Sequence, residues 1–179
     1  LKFTQSVIEI SGGNLFILLA LTGVSAIILG MGITTTAVYI TVAALIVPAV
    51  IKAGVEPIAA HMFAFYFGVV SSITPPVALA SFAAAAIAGT PPMKTGLTSW
   101  KIAKGLYLVP VLFAFTPLIM GGWSERLAVF VFACLGLYAL AGLLQQHLEE
   151  QLELRTNMLL VVSAILLLWP PLGLVGHLA

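Results

Sequence analysis

Gly30-Met31-Gly32-Ile33-Thr34-Thr35-Thr36 interrupts residues 10–51, a run that holds no Asp, Glu, Lys or Arg. A straight helix over that run would be about 63 Å long, roughly twice the hydrocarbon thickness of a bilayer. The run must therefore turn back or cross twice. Two glycines and three consecutive threonines make a poor helix interior, because glycine loses backbone entropy and β-branched side chains crowd the preceding turn. The turn is expected there. A second uncharged run, 57–93, carries its own interruption, Ser71-Ser72-Ile73-Thr74-Pro75-Pro76. A double proline stops the helix before it and is tolerated in the first turn of the helix after it.

The composition explains why these runs belong in a membrane. The chain has 179 residues, 61% hydrophobic and 7% charged. A soluble domain carries about 45–50% apolar and about 25% charged residues. A domain of roughly 150 residues still exposes about 30% of its chain surface, so so much apolar surface has nowhere to hide in water. A soluble globule, a disordered tail and a nucleic-acid binder are all excluded. Seven basic and six acidic side chains nearly cancel, which leaves no polybasic footprint. Cys134 is the single cysteine, so there is no disulfide framework. It reads as a small apolar filler in a membrane helix. The opening, Leu1-Lys2-Phe3-Thr4-Gln5, lacks the basic and apolar regions of a signal peptide. The expectation is a piece of a longer chain.

Three further uncharged runs, 105–124, 127–148 and 156–179, each fit one span. The spans expected are Leu106 to Met120, Leu127 to Leu144 and Met158 to about Leu178. Lys94, Lys101 and Lys104 lie with no acid among them, so the loop 89–104 is assigned to the cytoplasm by the positive-inside rule. Segment 57–88 then starts outside. Residues 145–156 become a cytoplasmic connector, with Leu144, Leu148 and Leu152 spaced as on one face of a short amphipathic helix. Trp100, Trp123 and Trp169 fall near span ends, where interfacial tryptophan belongs. The run Ala83–Gly89 would let another helix approach closely. The fold class expected is an all-α polytopic membrane protein.

Irregular backbone at membrane depth survives only where protein or a wet cavity buries it. Many secondary transporters build their binding sites from such interrupted helices. Packing kinks would explain one break; two neighbouring breaks rich in hydroxyls point to a site. The first offers Gly30, Gly32, Thr34, Thr35 and Thr36. The second offers Ser71, Ser72 and Thr74, with carbonyls freed by Pro75 and Pro76. Neutral oxygens suit Na⁺, and half-helix N-termini suit a carboxylate. No cofactor beyond the coupling ion is expected, and no metal site beyond Na⁺. Proton coupling is the competing idea. It has only Glu56 and His61 near the interface, and His177 near the end. An intramembrane hydrolase pairing His61 with Ser71 or Ser72 would need atoms within about 3 Å, whereas ten or eleven helical residues span about 15 Å. No nucleophile elbow, zinc-protease motif or phosphate loop is present. A structural anchor without a site remains the third reading.

Four ordered motifs carry a resemblance. They are Leu29-Gly30-Met31-Gly32-Ile33-Thr34-Thr35-Thr36-Ala37-Val38-Tyr39, Ala59-Ala60-His61-Met62-Phe63-Ala64-Phe65-Tyr66, Ser72-Ile73-Thr74-Pro75-Pro76-Val77-Ala78-Leu79-Ala80 and Ala88-Gly89-Thr90-Pro91-Pro92-Met93-Lys94-Thr95-Gly96. Together they resemble the large, DctM-like permease subunit of tripartite ATP-independent periplasmic (TRAP) transporters. The fit is best to fused permeases that work with TAXI-type binding proteins. The similarity covers about residues 1–122. Residues 123–179 look like the C-terminal membrane extension of such permeases, with two transmembrane helices and the connector 145–156.

The resemblance implies one inverted repeat of an elevator-type transporter: a re-entrant hairpin over 10–51, a broken helix over 57–88 and a helix over 105–121. It implies sodium-driven import of an organic acid across a bacterial-type inner membrane. The partners implied are a periplasmic solute-binding protein, the first repeat of the permease, and the small-subunit helices. Gly30, Gly32, Thr34, Thr35, Ser72, Thr74 and Pro75 map onto the sodium and substrate region. The common first motif has an Asp before the threonine pair. This chain has Ile33-Thr34, so the resemblance carries no acidic ligand to that position. With the first repeat missing, residues 1–179 alone are expected not to transport.

Overall fold

The computed structural model describes residues 2–145, 147–148, 150–151 and 161–162. Two compact units divide the chain, 1–103 and 104–179.

The first unit is built from α1 (Lys2–Ser11), α2 (Leu15–Gly30), α3 (Thr35–Leu45), α4 (Val47–Lys52), α5 (Pro57–Val70), α6 (Leu79–Ala88) and α7 (Pro92–Ile102). Local chemistry sets the starts. Asn14 Oδ1 accepts from the Phe16 and Ile17 amides at 2.9 and 3.3 Å, which satisfies donors the first turn of α2 leaves free. Pro57 opens α5, and Glu56 Oε2 accepts from the Ile58 amide at 2.8 Å. Gly89, left-handed at φ +64°, ends α6.

Helix α5 packs on both α2 and α3. Its buried face, Ala59, Ala60, Phe63, Ala64, Phe67 and Gly68, recurs at helical spacing. The facing stripe of α2 is Leu18, Leu19, Thr22, Gly23, Ala26 and Gly30. Its residues become small toward the C-terminal end, and that is where the backbones come close. Phe67 sits against Gly23, with ring atoms 3.0–3.2 Å from where a Cβ would be. Val38 and Val42 of α3 complete the core.

The second unit holds α8 (Val109–Phe115) and α9 (Trp123–Gln145). One helix expected over 105–121 is replaced by a 3-10 segment, Ala103–Tyr107, and the seven residues of α8. Proline is the reason. Pro110 lies in the first turn of α8, and Pro117 drives Thr116 to extended backbone, φ −133° and ψ 156°. Among the described residues one helix, within Trp123–Leu143, is long and apolar enough to cross a membrane. Helices α2, α3, α5 and α6 are apolar but shorter, at 10–17 residues. The amphipathic helix expected over 145–156 is absent where that stretch is described: His147–Leu148 pairs antiparallel with Glu150–Gln151. Leucines at helical spacing cannot offset nucleation in a segment shorter than the roughly 12–15 residues an isolated helix needs. Residues 152–156, and the span expected over 158–178 apart from 161–162, lie outside the described residues. Apart from that two-residue pairing, the described elements are helical.

Candidate functional site

The two interruptions meet. Helix α2 ends at Gly30 and α3 starts at Thr35. Helix α5 ends at Val70 in a 3-10 turn, Ser71–Ile73, and Thr74 leaves it extended, φ −97° and ψ 121°. The Ser71 side chain lies on the Gly30 backbone, leaving no room for a Cβ there. Val38 Cγ2 is 3.5 Å from the same point. One turn back, a Cβ on Gly68 would lie 3.4 Å from Val38 Cγ1 and 4.0 Å from the Thr35 carbonyl oxygen. Both helix ends of the first break thus touch the end of α5.

The hydroxyls of the second break have definite roles. Ser71 Oγ donates to the Gly68 carbonyl at 2.6 Å, Ser72 Oγ to Val69 at 2.7 Å, and Thr74 Oγ1 to Val70 at 2.7 Å. Short polar side chains at a helix end commonly bond carbonyls three or four residues back, and these three do so. Of the carbonyls one turn before Pro75 and Pro76, that of Ser71 accepts from the Thr74 amide at 3.2 Å. Ser71 and Ser72 have spent their one proton in this way, so what their hydroxyls can offer a ligand is acceptor capacity. Such a set favours a cation. Ser71 and Thr74 are buried and Ser72 is half-buried. Pro75 is half-buried, Pro76 exposed, and a cis peptide joins them.

The first break is more dispersed. Gly30 is buried and Thr35 half-buried, whereas Gly32, Thr34 and Thr36 are exposed. Gly32 has φ +93° and open space around it, so it serves the turn. Thr34 caps α3, its Oγ1 accepting from the Ala37 amide at 3.4 Å. The structure thus brings Gly30, Thr35 and Ser71 to one junction with Gly68 and Val38, while Gly32, Thr34 and Thr36 are exposed and Thr74 is buried three residues beyond Ser71.

Of the residues weighed for proton coupling, Glu56 and His61 have partners, and His177 lies outside the described residues. Glu56 is the α5 cap described above. His61 Nδ1 is 3.1 Å from Tyr39 Oη, which ties α5 to α3, and Tyr39 meets Phe65 edge to face at 5.7 Å. The Ser71 and Ser72 protons go to helix carbonyls and not to His61, so neither serine forms a nucleophile–base pair with it. Among the described residues no three His, Cys, Asp or Glu side chains gather as a metal ligand set.

Gly68 and Val38 were missed by sequence reasoning. A usable signal existed, since Gly68 and Ser71 share a helix face at i, i+3, as Gly23 and Gly30 do at i, i+7.

Comparison with known proteins adds the family. The family model for the DctM component of the tripartite ATP-independent periplasmic transporter matches residues 1–120. No curated protein and no solved structure gives a match. The matched stretch contains both interruptions and the helices that bring them together. The chain belongs to the DctM family of TRAP transporter permeases.

Proposed function

We propose that this chain forms part of the transport domain of a sodium-driven symporter for an organic acid. In this reading α2 and α3 form a re-entrant hairpin, and α5 and α6 form a broken helix, the pair being one inverted repeat of an elevator-type carrier. At about 1.5 Å per residue, 16 residues of α2 reach about 24 Å and 11 of α3 about 16 Å, each short of a bilayer core of about 30 Å. The rest of the permease, small-subunit helices and a periplasmic solute-binding protein of the TAXI type complete the system in a bacterial inner membrane. The observation that carries the reading is the junction itself. Buried Ser71 directs its proton into α5 and keeps its oxygen against Gly30 at the end of α2, and buried Thr74 directs its own proton to Val70. The C-terminal end of α5 adds a negative dipole end to that cluster. Sodium, bound by neutral oxygens, matches it.

Thermal unfolding of the full-length permease in detergent tests this, comparing sodium with potassium at equal ionic strength. A ligand that binds only the folded form raises the midpoint. The expected result is a sodium-specific rise that Thr74→Ala abolishes. Equal midpoints in both salts would overturn the sodium reading. They would turn attention to proton coupling, for which the Tyr39–His61 bond is the group to mutate next.

A further inference from the structure

Helix α7 does not share the apolar character of its neighbours. Its 11 residues would reach about 16 Å, half a bilayer core, and they include Lys94, Thr95, Thr98, Ser99 and Lys101. One edge of it is packed. Gly96 is buried with Thr95 and Ser99 half-buried on the same side, and a Cβ on Gly96 would lie 3.2 Å from the Phe82 ring and 3.6 Å from Ala78 Cβ. The turn before α7 is tied down as well. The Thr90 amide donates to the Ala85 carbonyl at 3.0 Å, and the Thr90 and Thr95 hydroxyl oxygens are 2.8 Å apart.

This packing turns a patterned face outward. Met93, Leu97 and Trp100 recur at i, i+4 and i+7, the spacing of one helix face, and are 49%, 44% and 39% exposed. Lys94 and Lys101 are both exposed and stand two turns apart, about 10 Å along the axis. Leu97 is three residues from one lysine and four from the other, so the lysine row borders the apolar ridge. No acidic residue lies between Glu56 and Glu125 in the sequence, so no carboxylate near in the chain neutralises that row.

An apolar ridge with a tryptophan and a basic border suits a lipid–water boundary. The ridge enters the acyl region, and lysine stems lie along it with their ammonium groups at the headgroups. Charge complementarity names the lipid: a lysine row without acids is attracted by an anionic leaflet and gains little from a zwitterionic one. We propose that α7 is a docking surface for anionic phospholipid, with Met93, Leu97 and Trp100 among the acyl chains and Lys94 and Lys101 on the headgroups. The loop 89–104 is the one that the positive-inside rule assigns to the cytoplasmic side, where anionic lipid attracts basic segments. Helix α7 packs on both α6 and the 3-10 turn, so lipid held here steadies the far side of the second break. Nothing in this surface depends on which ion or solute is carried.

The full-length permease in detergent is titrated with short-chain phosphatidylglycerol, with phosphatidylcholine of the same chains, or with inorganic phosphate, and its unfolding midpoint is read. A ligand that binds only the folded form raises the midpoint. Wild type should respond to phosphatidylglycerol at lower concentration than to phosphatidylcholine, and not to phosphate. Each lysine near an anionic surface strengthens binding about five-fold, so Lys94→Gln with Lys101→Gln should move the phosphatidylglycerol response about twenty-fold or more to higher concentration. Lys94→Arg with Lys101→Arg should keep the wild-type response. So should Lys52→Gln, which removes an exposed lysine at the end of α4. In vesicles, brominated phosphatidylglycerol should quench Trp100, read as the difference between wild type and Trp100→Phe. A phosphatidylglycerol response unchanged in the double glutamine variant would overturn the surface, as would equal responses of wild type to the two lipids. A rise with inorganic phosphate would make it a free-anion site instead. Absence of Trp100-dependent quenching would mean that another part of the permease covers this face, and would overturn the proposal too.

Discussion

Replacing Gly30 with alanine tests the junction through the sign of its effect. At a helical position with open space, Gly→Ala stabilises by about 0.4–1 kcal/mol, because it reduces the freedom of the unfolded chain. Gly30 closes α2 and has no such space. A Cβ there would overlap both Oγ and Cβ of Ser71, with Val38 Cγ2 already at 3.5 Å. Ser71 cannot swing away freely, since it is buried and its Oγ is bonded to Gly68 at 2.6 Å. Overpacking of this kind costs about 1–3 kcal/mol, and breaking the serine bond adds about 1 kcal/mol. Set against the unfolded-state gain, the net loss is about 1–3 kcal/mol. At roughly 2–4 °C per kcal/mol, the midpoint should fall by about 2–12 °C. The assay is thermal unfolding of the full-length permease in detergent, wild type against Gly30→Ala. Adding Ser71→Gly removes both clashing atoms, so the double variant should recover more than about 1 kcal/mol relative to additivity. A Gly30→Ala midpoint equal to or above wild type would refute the close approach. Strict additivity with Ser71→Gly would refute it as well.

Gly32→Ala should also destabilise, by about 1–2 kcal/mol, but through φ +93° alone, since nothing lies within 4 Å of the added carbon. Ser71→Gly should therefore give no relief, and relief seen in the same unfolding assay would contradict the assignment. Tyr39→Phe removes the 3.1 Å bond to His61 while keeping the edge contact with Phe65. It should cost about 0.5–1.5 kcal/mol, and His61→Ala in that background should add less than it does alone. Full additivity would mean that the bond does not form.

Some of this architecture was legible in the residues. Both interruptions were visible because proline and glycine act on the backbone locally. The Gly30–Thr36 and Ser71–Pro76 stretches break helices wherever they are placed. What was not legible is what depends on neighbours. Nothing in Ser71 says that it will rest on Gly30, since that contact depends on how α2 lies on α5. The stretch 105–121 was read as one helix because its lack of charge was weighed above Pro110 and Pro117, which cut it to the seven residues of α8. The connector was read from three leucines at helical spacing, a pattern that tells which face would be apolar and not whether a segment so short will fold. Sequence alone groups the three threonines as oxygen donors, yet Thr34 serves as a helix cap. A cap and a ligand use the same atom, and only geometry separates them.

On the proposed symport reading, in which cargo binds at this break, the hydroxyl-to-carbonyl bonds at the end of α5 have a consequence for a carrier that must return unloaded. Polar backbone stranded in a medium without water costs several kcal/mol per group. Were carbonyls at the end of α5 left without partners, an unoccupied break would be penalised, and cargo would be gripped in part to repair that defect. Ser71, Ser72 and Thr74 do the repair from within the chain. On that reading the vacant conformation is made tolerable, and cargo would leave those oxygens still hydrogen-bonded within the chain. A self-sealing break favours turnover over tenacity, which is what a machine that reloads many times requires.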